Sequence, residues 1–200
     1  FDDPDGTSGE AVILANQISS ATIENNNFEN NDQHVDDEAG VTNLNTVFDN
    51  NNFAEQYVTI GNSDGDIQEA IYGDLDTAEA ANSQIDAAAS GGTVTIAGQH
   101  TVTSAIDLAN NGNDGLTVTA AGNGATIVSN NDPVFALSSG ADNIEVSGLT
   151  FDLSNGVHGA IDDTANNFAG LSVTDNIFNG ANGGAVVVDL GQGTYDDGLT

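Results

Sequence analysis

Short stretches of alternating apolar and polar residues recur along this chain at intervals of about two dozen residues. Leu116-Thr117-Val118, Ile144-Glu145-Val146 and Leu171-Ser172-Val173 begin 28 and 27 residues apart. Each is followed by another apolar position, at Ile127, Phe151 and Phe178. A second set reads Gly159-Ala160-Ile161, Gly184-Ala185-Val186 and Gly9-Glu10-Ala11-Val12. Two further segments share an Asn-rich ending, ATIENNNFEN around Phe28 and NTVFDNNNFAE around Phe53. Alternation of period two, bounded by Gly, Asn and Asp, predicts strands of about four to six residues separated by turns.

A period of roughly 25 residues with several strands in each is the length of one coil of a parallel β-helix. Each coil hydrogen-bonds to the next, and its inward side chains stack on their counterparts, so stability comes from stacking. The inward positions predicted are Val118, Val146, Val173, Ile23, Val47, Phe28, Phe53, Phe151 and Phe178. Asn suits the corners because it tolerates left-handed backbone and bonds its own neighbours. The asparagines at 25–27 and 50–52 fit either amide ladders between coils or solvated turns.

One stretch breaks the strand rhythm. Ile67, Ile71, Leu75, Ala78, Ile85 and Ala89 follow helical spacing, which predicts an amphipathic helix near residues 66–89. Ser63 with Asp66 resembles a capping box, Asp64, Asp66 and Glu69 suit a helix N-terminus, and Gly91-Gly92 provides a stop. Gly73 is a point at which the helix can divide. Such a helix would cover the open end of a strand stack.

DIQEAI followed by IDAAASGGTVTIAGQHTVTSAIDLA resembles the opening of pectin-lyase-like right-handed parallel β-helices: an amphipathic helix, a Gly pair, then two strands. The helix here carries an insert between Ile71 and Ile85, and the segments IEVSGLTFDLSNG and LSVTDNIFNGANGGAVVV are similar to coils of that superfamily. The resemblance implies an all-β, right-handed parallel β-helix with one capping helix. Residues 1–62 and 93–200 would be coils, and residues 63–92 the cap. The superfamily includes lyases, hydrolases, phage tailspikes, adhesins and structural surface proteins, so fold does not settle function. Its pectate lyases use an Arg base, and this chain has no Arg. Polygalacturonase-like members use clustered Asp with a His and a basic element. GVHGAIDD supplies His158, Asp162 and Asp163 in the wrong order and without that element. No enzyme is expected, and surface or turn roles are expected for His34 and His100.

Composition sharpens this. The 200 residues include 31 Asp and Glu and no Lys or Arg, a formal net charge of −31. Binding nucleic acid by neutralising phosphates, a polybasic membrane patch and a Lys Schiff base are all excluded. An anionic uronate would be repelled. No apolar run approaches the ~20 residues of a membrane span, and no cysteine can form a disulfide. Low hydropathy with high charge is the composition of disorder, but the regular strand pattern argues for a fold. The carboxylates need external cations. The Asp- and Gly-rich segments DDPDG (Asp2, Asp3, Asp5) and NSDGD (Asp64, Asp66), with Asp196 and Asp197, are candidate calcium ligands.

Joining Thr200 to Phe1 recreates Gly-Leu-Thr-Phe-Asp, already present at Gly148–Asp152. Across that joint Ala160-Ile161, Ala185-Val186 and Ala11-Val12 fall 25 and 26 residues apart. Phe1 to Phe28 repeats the 27-residue interval from Phe151 to Phe178. The expectation is a structural repeat unit of an extracellular or cell-surface acidic filament, sheath or adhesin. It would meet copies of itself at Phe1, Gly198, Leu199 and Thr200. The alternative is a carbohydrate-binding or polysaccharide-degrading β-helix.

Overall fold

The computed structural model describes residues 9–53, 56–80, 85, 90–108, 114–129, 133–137, 142–154, 159–163, 170–180 and 188–189. The first of these segments makes two coils: β1 (Glu10–Ile13), β2 (Asn27–Phe28), β3 (Gln33–Asp36), helix α1 (Leu44–Asn50) and β4 (Asn52–Phe53). β1 pairs in parallel with β3, placing Val12 beside Val35, and β2 with β4, placing Phe28 beside Phe53. The two Phe rings stack at 5.0 Å and 7°. The Asn-rich segments form ladders. Asn26 Nδ2 donates to Asn51 Oδ1 at 3.0 Å, and Asn52 Nδ2 donates to Asn27 Oδ1. Asn25 takes the corner in left-handed backbone, φ 59°. Val47, expected on a strand, lies on α1. Asn43 caps that helix by accepting the Thr46 N–H at 3.2 Å, and Leu44 and Val47 share its buried side.

β5 (Tyr57–Gly61) and β6 (Ile67–Tyr72) form an antiparallel hairpin, followed by α2 (Leu75–Ala80). This corrects the helix expected near residues 66–89. Its first part is strand, its described helical part is α2, and the described residues hold two helices, α1 and α2. The misleading signal is the spacing of Ile67 and Ile71, because four residues are in phase with both a helix and a strand. The hairpin is covered on both faces. Val58, Ile60, Ala70 and Tyr72 enter one core, while Ile71 enters the other with Tyr57 and Ile67 against it. Strands covered on both sides lose the apolar–polar alternation that identifies them.

The remaining strands are β7 (Thr93–Val102), β8 (Ile106–Asp107), β9 (Thr117–Ser129), β10 (Phe135–Leu137), β11 (Ile144–Ser147), β12 (Leu149–Asp152), β13 (Ile161–Asp163), β14 (Leu171–Thr174), β15 (Ile177–Asn179) and β16 (Val188–Asp189). They stack in parallel on three faces. Val94, Val118, Val146 and Val173 are in register on the first. His100, Ile127, Phe151 and Phe178 are in register on the second, and Ile106, Phe135, Ile161 and Val188 on the third. The fold is a parallel β-helix. Its corners need left-handed backbone: Gly98, Gly124, Gly148 and Asp175 at one, Gly91, Gly115, Asn143 and Gly170 at another, all have positive φ.

Ile161 pairs with Val188, not Val186, and β1 lies on the long sheet rather than beside β13, so the Gly-Ala-Ile and Gly-Ala-Val recurrence does not mark register. A uniformly apolar run such as Ala185–Val188 specifies no register by alternation.

The long sheet runs β1-β3-β6-β5-β7-β9-β11-β14. Three antiparallel steps, β3–β6, β6–β5 and β5–β7, reverse β7 and its successors relative to β1 and β3. The two cores also lie on opposite faces of this sheet, as the alternating residues of β5 and β6 show. Reversing both strand direction and face equals a half-turn about the stacking axis, so the two stacks wind with the same hand.

Candidate functional site

Two stacks that meet back to back leave a cleft at one end of their shared hairpin. It has a volume of about 500 Å³ and is built from three separated segments: Glu29–Asp32 between β2 and β3, Gln56 before β5, and Gly73-Asp74 between β6 and α2. Gly73 N–H donates to Asp32 O at 2.9 Å, holding the first segment against the third. A Cβ on Gly73 would stand 1.7 Å from Asn31 O, so only glycine fits.

Behind the cleft lie His34 and His100, 1% and 0% exposed, and not in the surface or turn roles expected of them. His34 Nε2–H donates to Gln56 O at 3.1 Å, and its Nδ1 accepts from Asn31 Nδ2 at 3.2 Å. The ring sits against Phe28 and Phe53, with centroids 5.9 and 5.5 Å away. Burial pushes its pKa below 6.5, so it is neutral. His100 Nε2–H donates to Ala97 O at 2.9 Å, while Nδ1 accepts the Leu75 N–H at 3.2 Å and faces Gln56 Nε2 at 3.4 Å. Gln56 therefore links both rings, one through its carbonyl and one through its side chain.

Two carboxylates of the cleft are driven apart in proton affinity. Burial, Asp74 and Glu10 raise the pKa of Asp32, partly offset by the Gly9 N–H. Burial would raise Asp74 too, but the His100 ring and the Thr77 N–H and hydroxyl outweigh it and hold Asp74 below the usual range. Asp74 Oδ2 accepts both Thr77 donors at 3.2 Å and so caps α2. His100 Nδ1 stands 4.0 Å from Asp74 Oδ1. Asp32 is thus the weaker acid of the pair and Asp74 the stronger.

Asp64 and Asp66 lie elsewhere, in the turn of the β5–β6 hairpin. Asn62 Oδ1 accepts the N–H groups of Asp64 and Asp66 at 2.9 and 3.0 Å, and Asp66 Oδ1 accepts Asn45 Nδ2 at 2.9 Å. These bonds close the turn and tie it to α1. Among the described residues no three His, Asp or Glu converge as metal ligands. Asp162 and Asp163 are on β13 and are not among the residues that line the cleft. Asp2, Asp3, Asp5, Asp196, Asp197, His158 and the joint residues Phe1, Gly198, Leu199 and Thr200 fall outside the described residues.

Sequence reasoning missed the cleft, although one signal for it was present. Val94, Ile96, His100 and Val102 share the parity of a buried strand row, which marks His100 as inward. No protein-family model, curated protein or solved structure matches this chain.

Proposed function

We propose that this chain is a structural unit of an extracellular acidic β-helix filament or surface fibre, a non-enzymatic relative of the pectin-lyase-like β-helices, joined end to end with copies of itself. The supporting observation is that, among the described residues, burial declines toward both ends of the stack. Val146, Phe151 and Val35 are fully buried, whereas Val173, Phe178 and Val12, one coil further out, are only half-buried. Edge strands of monomers are protected by charge, proline or bulges. β14 and β15, LSVT and IFN, carry neither charge nor proline in a chain with 31 carboxylates. Calcium or another cation would screen the charge between copies.

The test is electron microscopy and sedimentation of the native protein at rising salt and calcium. Filaments are expected, with a rise per copy of at least about 40 Å from the eight described strands of the long sheet at about 4.8 Å each. Monodisperse monomers under all these conditions would refute the reading.

A second reading, carbohydrate cleavage, is favoured by the cleft alone. Asp32 would donate a proton to the leaving oxygen and Asp74 would activate water. New reducing ends from neutral polysaccharides near pH 5, lost in Asp32→Asn and Asp74→Asn, would support it. No product from any of a broad panel would dismiss it.

A further inference from the structure

Where the chain turns from the first face of the stack to the second, neighbouring coils take the corner with different lengths of chain. β7 places one residue between its paired positions Ile96 and Gly98, and Gly148 alone separates β11 from β12. β9 places four, Ala121 to Gly124, between Ala120 and Ala125. Ala120 lies beside Ile96, and Ala125 beside both Gly98 and Leu149, so the surplus is pushed outward. Gly122, Asn123 and Gly124 are all exposed and pair with no neighbouring strand. A Cβ on Gly122 or Gly124 would meet nothing within 4 Å. The Asn123 side chain has no hydrogen-bond partner among the described residues.

We propose that Asn123 is a site of spontaneous deamidation, converting to aspartate and isoaspartate through a succinimide closed by Gly124. The only co-reactant is water. The Gly124 backbone nitrogen loses its proton to water or hydroxide and attacks the Asn123 side-chain carbon Cγ, forming a C–N bond. The adduct collapses, the Cγ–Nδ2 bond breaks, and the departing nitrogen takes a proton from water and leaves as ammonia. Water then opens the ring, at Cγ to give aspartate or at the backbone carbonyl to give isoaspartate. One water is consumed and one ammonia released. Glycine after the asparagine permits the attack, because no Cβ shields its nitrogen and its backbone is free to swing.

The fold makes the reaction selective. The sequence holds five Asn-Gly steps, and those at Asn123 and Asn179 are among the described residues. Closing the ring turns the peptide out of strand geometry, which sacrifices any ladder bonds made there. Asn179 is held in such a ladder. It pairs with Asp152, its carbonyl accepts the Leu153 N–H at 2.8 Å, and a Cβ on Gly180 would lie 2.8 Å from the Ser154 backbone. Isoaspartate also lengthens the backbone by one carbon. In β15 that would disturb the register with β12, whereas the loop at 121–124 absorbs it outside every ladder. The modified chain keeps its fold and carries one more carboxylate.

The test incubates the full chain in high salt at mildly alkaline pH. It is then digested with pepsin at acid pH, where the conversion stalls, since trypsin would find no site. Electron-transfer fragmentation identifies aspartate and isoaspartate in the peptides. In the folded chain, conversion at Asn123 is expected at least several-fold faster than at Asn179, with the urea midpoint of the aged protein unchanged. In strong urea the two rates should converge, because both sites then present Asn-Gly to solvent alike. Equal rates in the folded chain would overturn the inference. So would an equal preference for Asn123 in urea and in buffer, because local sequence and not the fold would then set it. A fall in urea midpoint that tracks conversion at Asn123 would show that the loop does not lie outside the ladders.

Discussion

Replacing Gly73 with Ala should be the most damaging single-methyl change in the described fold. The added Cβ would lie 1.7 Å from Asn31 O and 2.9 Å from Asn31 C, where real contacts essentially never fall below 3.0 Å. The obstacle is backbone, so the Glu29–Asp32 segment must retreat by more than an ångström. That movement breaks the 2.9 Å bond from Gly73 N–H to Asp32 O and the 3.2 Å bond from Asn31 Nδ2 to His34 Nδ1. Overpacking costs about 1–3 kcal/mol, and each buried polar group left unpaired about 1–3 kcal/mol more. A total of about 3–9 kcal/mol follows, equivalent to a fall in Tm of at least about 6 °C for a chain of this size. Gly65→Ala is the control. Gly65 has φ +85° and no neighbour within 4 Å of an added Cβ, so its cost is conformational only, about 1–2 kcal/mol. Urea midpoints of both variants at fixed salt measure the difference. If Gly73→Ala were no worse than Gly65→Ala, the back-to-back packing of the two stacks at the cleft would be wrong.

Three further outcomes are expected. Asn51→Ala removes an amide that accepts from Asn26 N and Asn26 Nδ2 and donates to Ile23 O and Val47 O, at 2.7–3.0 Å. It should cost about 2–3 kcal/mol by urea denaturation, against under about 0.5 kcal/mol for exposed Asn52→Ala. His34 is held below pKa 6.5, so above pH 6.5 it is neutral in both states and adds no pH dependence. As pH falls below 6.5 the unfolded chain takes up a proton that the folded chain refuses, and stability declines toward the folded pKa. His34→Gln should flatten that part of the stability–pH curve, and an unchanged slope would place the titration elsewhere. With a net charge of −31 and no internal counter-ion, the urea midpoint should rise most steeply between low salt and about 0.1 M, where the Debye length falls to about 10 Å. A flat salt dependence would show that the carboxylates are spaced too widely to oppose folding.

Much of the C-terminal stack was legible in the sequence because one face of each strand is buried. Val118, Val146 and Val173 alternate with polar residues and recur at coil length, so period and inward row appear together. The Asn ladders were legible as a choice between two outcomes. Only a structure shows that Asn26 meets Asn51, because that pairing depends on how α1 closes its coil. The hairpin was misread because both its faces are apolar and Ile67 and Ile71 fit two periods. The cleft was hidden for another reason. Its residues come from three polar segments with no shared spacing, and the back-to-back arrangement of two stacks brings them together. The joint drawn through Phe1 and Thr200 lies outside the described residues, and the reversal of strand direction between the two stacks is something alternation does not encode.

The two-faced hairpin also separates the lengths of the two stacks. Each hangs from its own side of β5 and β6, and each grows away from them. An insertion or deletion of one coil, the 27 residues from Val146 to Val173 for example, shifts one sheet end by a single strand spacing and leaves the other stack and the cleft untouched. The length of either stack and the spacing of its surface features can therefore change during evolution by whole-coil duplication on either side, with the central hairpin as the fixed point from which both arms are counted.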